Sequence, residues 1–161
     1  MSQTSYLASM QAAYEGGHAQ LISVRSGRNN SGANVPVGRG VVHDTGAGTS
    51  ELAFKLPSLV GDVILGVLIS DQTHPQNGGV PDDAMGSIVT HGEVWVSVEQ
   101  AVTPSSPVFC RYNAAGATGT NPAVGKFRTD ADTAKAVAMT NARFLTSAAA
   151  GGLALLQINI P

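Results

Sequence analysis

Asp44-Thr45-Gly46, following the apolar pair Val41-Val42, is the place where a side chain of catalytic type stands in a catalytic-looking setting. An Asp-Thr-Gly behind an apolar strand is how aspartic proteases present a carboxylate, with two copies sharing one proton so that one acts as base and the other as acid. A protease of that kind also needs an apolar strand ending in Gly to brace the loop, and Val63-Ile64-Leu65-Gly66 offers one. Too little chain separates the two elements to hold a flap hairpin between them. Asp-Thr-Gly is also an ordinary turn, because Asp caps its own backbone and Gly takes positive φ. The turn is the preferred reading, and the protease-like homodimer using Asp44 is carried as an alternative.

The other polar residues form no set with recognisable chemistry. His18, His43, His74 and His91 have no partner at i+2 or i+4, the spacing that would point to zinc. Asp82-Asp83 and Asp130-Ala131-Asp132 are candidate calcium donors, but calcium wants six to eight oxygens and a denser acidic loop, so solvated charges are expected. Gly38-Arg39-Gly40 is followed by neither a helix nor Gly-Lys-Ser/Thr, and Ser58, Ser70 and Ser105 lie in no nucleophile elbow. Cys110, the single cysteine, sits in Val108-Phe109-Cys110-Arg111-Tyr112 and reads as a small buried hydrophobe; no intrachain disulfide is possible. No catalytic triad, metal site or cofactor site is expected.

The elements that position these residues read as strands. From Val35 onward, short apolar runs alternate with turn signals, as in a sandwich or barrel. The expected strands are 35–43, 51–56, 63–70, 86–90, 93–99, 107–112, 125–129, 136–146 and 152–160, with 133–141 open to a short helix because of its alanines. His91-Gly92 reads as a two-residue hairpin turn. Around it, Val89, Val94, Val96 and Val98 share a core face, while Ile88, Thr90, Glu93, Trp95 and Ser97 share a mixed face suited to a partner. Upstream, Tyr6, Leu7, Met10, Ala13 and Tyr14 mark one face of a short helix that Gly16-Gly17 would stop. A helix that short must dock on its own domain or a neighbour. Residues 20–24 read as a short strand and 26–34 as a polar linker. The expected organisation is therefore an N-terminal arm with a short helix over 1–33 and a β-barrel or sandwich domain over 34–161.

Composition sets further bounds on the class. The chain has 161 residues, 43% hydrophobic but only 5% aromatic, so its core must be built from Val, Leu, Ile and Ala. Charged residues are 12%, about half the usual share of roughly 25%, and the net charge is −2. A surface so short of charge is poorly protected against association, which implies covering by other subunits. Nothing basic favours nucleic acid, no apolar run is long enough for a membrane-spanning helix, and no export signal is expected.

The order of segments resembles the structural cement, or capsid decoration, proteins of tailed bacteriophages. The matching stretches are Gly17-His-Ala-Gln-Leu-Ile-Ser-Val-Arg25, Val35-Pro-Val-Gly-Arg-Gly-Val-Val42, Gly66-Val-Leu-Ile69 and Gly92-Glu-Val-Trp-Val-Ser-Val98. Pro107 to Tyr112, Lys126-Phe127, Ala142-Arg-Phe-Leu-Thr146 and Gly152-Leu-Ala-Leu-Leu-Gln-Ile158 complete the order. The resemblance implies an all-β, compact antiparallel barrel or sandwich, jelly-roll-like, with an extended N-terminal arm. It also implies a homo-oligomer, trimer favoured over dimer, on the capsid's outer surface, cementing neighbouring major capsid protein subunits. It carries no active site. Tyr6, Leu7, Met10, Tyr14 and Trp95 are the expected capsid or subunit contacts. Two regions depart from the pattern: the loop 71–85 is long, and Gly116-Ala-Thr-Gly119 looks flexible for a fixed contact. A carbohydrate-binding sandwich with a Trp95–Tyr112 platform is the third reading, weakened by the scarcity of aromatics.

Overall fold

Alternating burial and frequent breakers give ten strands and, among the described residues, no α-helix. The computed structural model describes residues 13–47, 52–74 and 78–160. The strands are β1 (His18–Asn29), β2 (Gly40–His43), β3 (Ala53–Lys55), β4 (Ile64–Ile69), β5 (Met85–Ser97), β6 (Phe109–Arg111), β7 (Phe127–Arg128), β8 (Ala136–Ala138), β9 (Ala142–Phe144) and β10 (Leu153–Asn159). Residues Thr45–Ala47 form a single 3-10 turn. The expected strand 136–146 is two short strands, and the helix considered for 133–141 gives way to β8. There, Asp132, Thr133 and Ala134 all have positive φ, which no right-handed helix tolerates.

One sheet has seven strands in the order β1-β3-β2-β4-β5-β10-β9, and β1 also pairs with β5, so that β1, β3, β2, β4 and β5 close on themselves. All pairs in it are antiparallel except β1 with β3. A second, three-stranded sheet runs β7-β6-β8. Closure explains why neighbouring residues are both buried. Val41, Phe54, Leu68 and Ile88 join Val35 and Val80 in one cluster. Their neighbours Val42, Val67, Ile69 and Val89 join Val94, Val96, Val98, Cys110, Phe127, Phe144, Leu156 and Ile158 in a larger one. Each fully buried Val, Leu, Ile or Phe side chain adds about 1.5–3 kcal/mol, so a core with few aromatics is sufficient.

The hairpin expected at His91-Gly92 does not exist. Both halves are one strand, β5, because each edge is taken: β1 pairs along Met85–Val94 on one side, while β4 and then β10 pair on the other. The register of β1 on β5 shifts between Leu21 and Ser23 and again between Ser23 and Val24. Those bulges let Val89 and Val94, an odd number of residues apart, reach the same core, so the expected valine face is present by a different route. Ile88, expected on the mixed outer face, is fully buried instead. Gly92 sits at φ +146°, and a Cβ there would lie 2.4 Å from the carbonyl oxygen of Gln20. Gly92→Ala is expected to destabilise the fold by about 2–4 kcal/mol, from strain plus overpacking, and to lower the Tm by about 5–15 °C in thermal unfolding.

The polar linker expected at 26–34 is strand as far as Asn29. Gly27 and Asn29 are buried, and Asn29 donates from Nδ2 to the carbonyls of Ala33 and Val80, both at 2.8 Å. The expected helix at 6–14 lies almost wholly outside the described residues.

Candidate functional site

Asp44, the catalytic lookalike, is fully engaged by its neighbours. Its carboxylate accepts a hydrogen bond from Asn30 Nδ2 at 2.6 Å, lies 3.0 Å from Lys55 Nζ, and accepts the Gly46 amide at 3.3 Å. The Asn30 amide, and then Lys55, hold it below the usual carboxylate range. The turn reading of Asp-Thr-Gly is what the geometry contains.

The acidic pairs also serve the backbone. Asp82 accepts the Gly32 amide at 2.8 Å, and Asp83 meets Arg28 at 2.5 Å. Among the described residues, no three His, Cys, Asp or Glu side chains converge as a metal set. Cys110 is wholly buried, and burial pushes its thiol far above the ordinary range. Tyr112, the second half of the considered sugar platform, follows β6 in the small sheet, and its hydroxyl donates to the carbonyl of Ala134.

Sequence reasoning missed a buried charge cluster. Glu99, just beyond β5, has no solvent exposure; it accepts Arg111 Nε at 2.8 and 2.9 Å, Arg111 Nη2 at 2.6 Å and Arg128 Nη1 at 3.0 Å. Asp132 faces the same two guanidiniums, 2.8 Å from Arg111 Nη2 and 3.1 Å from Arg128 Nη1. Far from being a solvated loop charge, it is buried, and Thr118 donates to it from Oγ1 at 2.6 Å and from its amide at 3.0 Å. The Thr118 carbonyl in turn accepts Arg111 and Arg128. The expected flexible loop at Gly116–Gly119 is thus pinned from three sides. The cluster also over-determines the left-handed turn at 132–134, whose conformation costs about 1–2 kcal/mol per residue. One signal was present in the sequence: Arg111 lies within an apolar run of a chain with few charges.

The Thr118 hydroxyl, with the facing arginines, holds Asp132 far below the usual carboxylate range, and Asp44 and Asp130 are lowered too. A depressed folded-state pKa adds stability above the unfolded value near 4 and loses it as pH falls through the folded one. The melting temperature is therefore expected to stay flat from about pH 8 to 5 and to fall steeply below about pH 4. Asp132→Asn should flatten that fall, as calorimetry across pH would show.

The apolar surface lies elsewhere. Tyr14 is exposed and Trp95 half-buried, and the chain between them is tied down: the Gly17 amide donates to the Tyr14 carbonyl, Gly16 donates to Trp95, and Trp95 donates to Gly17. Tyr6, Leu7 and Met10 fall outside the described residues. Beyond Gly17, β1 shows Leu21, Ile22 and Val24 to solvent. A second exposed group, Leu59, Val60 and Val63, sits on a turn braced by Asp62, whose carboxylate accepts the Ser58 and Leu59 amides.

Among the described residues, the body is thus β-rich, with a pinned loop, exposed aliphatics, and Asp44 and Asp132 engaged by neighbouring groups. The sequence model of the family described as "Structural cement protein (E217 gp24/Pam3 gp6)" matches residues 2–159. The chain belongs to that family. This cement protein also has the fold of a chain in a solved structure described as "The capsid of Myoviridae Phage XM1". The two are 20% identical with a TM-score of 0.61, over 94% of this chain and 95% of that one. No curated protein sequence matches this cement protein.

Proposed function

We propose that this chain binds the outer surface of the assembled capsid as a homo-oligomer, three copies favoured over two, and clamps neighbouring major capsid protein subunits. The family match over residues 2–159 carries this reading. It acts without catalysis or cofactor and needs neither nucleic acid nor membrane. It is made in the host cytoplasm and resides on the virion. Residues 1–33 serve as the contacting arm, although β1 within them is part of the sheet, and 34–161 as the body. Tyr6, Leu7, Met10, Tyr14 and Trp95 are the proposed contacts. The engagement of Asp44 by Lys55 and Asn30 supports a non-catalytic role.

A ligand that binds only the assembled lattice stabilises it by RT ln(1 + [L]/Kd) at every site, and many sites multiply the effect. Mixed with undecorated shells of its phage, the purified protein is expected to co-sediment saturably and to raise the temperature at which shells rupture. Shells that sediment bare, or that rupture at an unchanged temperature, would overturn the proposal.

A further inference from the structure

We infer that the exposed face and outer edge of β1 receive residues 1–12 of a second copy of this chain. This deepens the proposed function and rests on it only for the presence of neighbouring copies. Three large aliphatic side chains stand within four residues of β1: Leu21, Ile22 and Val24 are 39, 72 and 43% exposed. One edge of β1 is laddered to β5; on the other, among the described residues, only Arg28 and Asn29 meet a strand, β3. From Ala19 to Val24 that edge carries no charge and no proline, the usual protections of an open edge.

The occupant is indicated by the chain that precedes the described fold. Residues 1–12 contain no charged side chain and supply Tyr6, Leu7 and Met10, an apolar match for the exposed aliphatics of β1. The described chain that follows them is anchored, because Gly16 and Gly17 are held by hydrogen bonds with Trp95 and Ser70. Twelve residues span up to about 40 Å when extended, enough to leave their own copy and reach the next. A shell subunit would also cover the patch, but an uncharged arm and an exposed aliphatic patch on the same chain make each copy both donor and acceptor. Such a head-to-tail contact closes into a ring where the rotation between copies closes.

The test is done in solution without shells, so its failure is separate from a failure of the cement reading. Cys110 is wholly buried, which leaves introduced thiols free of competition. Met10→Cys and Ile22→Cys proteins, differently tagged, are mixed and oxidised; a covalent pair carrying both tags is expected on a non-reducing gel, in several-fold excess over same-tag pairs. A double variant that closes within one chain, giving no covalent pair in the mixture, would overturn the inference, as would no disulfide in either experiment. As a second measurement, Ile22→Asp, a change at an exposed position, is expected to drop the mass seen by light scattering to that of the monomer while strand content by circular dichroism stays the same. An unchanged oligomer mass would overturn it.

Discussion

Glu99→Gln is expected to destabilise this cement protein by about 3–5 kcal/mol, because it strips the charge from a site where two guanidiniums are buried against it. Arg111 and Arg128 are both essentially unexposed, and Glu99 takes four of their hydrogen bonds as well as the Ala123 amide at 3.1 Å. Glutamine keeps the shape but supplies an N–H where an acceptor is needed, and Asp132, with the half-exposed Asp130 on Arg128, must then balance two cations. At this chain length the loss corresponds to a Tm lower by about 6–20 °C, read by calorimetry. The control is Asp130→Asn. Asp130 meets Arg128 Nη2 at 2.6 Å but is about half exposed, so a change within about 1 kcal/mol is expected. Equal effects at the two positions would mean that the cluster is no more than a surface network.

Deleting residues 1–13 is expected to lower apparent affinity for shells by about two orders of magnitude or more while the β body stays folded. The deletion removes Tyr6, Leu7 and Met10 and spares Gly16, whose carbonyl accepts the Ser70 amide. Every copy in an oligomer loses its anchor at once, and avidity of linked sites commonly contributes 10²–10⁴. Trp95→Ala should give a smaller loss of about 30-fold, the size expected of one aromatic hot spot. Co-sedimentation across concentrations separates the two, with circular dichroism confirming the fold. Full binding by the truncated chain would remove the arm from the contact.

The two experiments address different layers of one design. The buried cluster fixes Thr118 within the loop 113–123 and the turn at 132–134. The arm, in the proposed reading, supplies the apolar contact to a partner.

Much of this fold was legible locally. Strands β2, β3, β4, β6, β7 and β10 fall inside expected runs, since alternation over four to eight residues and flanking breakers are properties of the segment itself. The valine face of β5, the burial of Cys110 and the turn at Asp44 were legible for the same reason. The fate of His91-Gly92 was not. Whether a glycine pair turns a chain or lets it bulge is decided by what lies alongside, and the strands that hold β5 straight come from 18–29 and 153–159, far away in sequence. Burial of Ile88 likewise needed the closure of β1 onto β5, which no local pattern encodes. Asp132 reads from the sequence as a solvated loop charge, and nothing local joins it to Glu99, Arg111 and Arg128. A buried charge is tolerable only when its counter-charges converge, and here they come from strand ends and a loop joined solely by the tertiary fold. The sequence by itself thus determined an all-β structural chain; the tertiary structure decided which faces were closed, which loop was fixed and, among the described residues, which edge was left open.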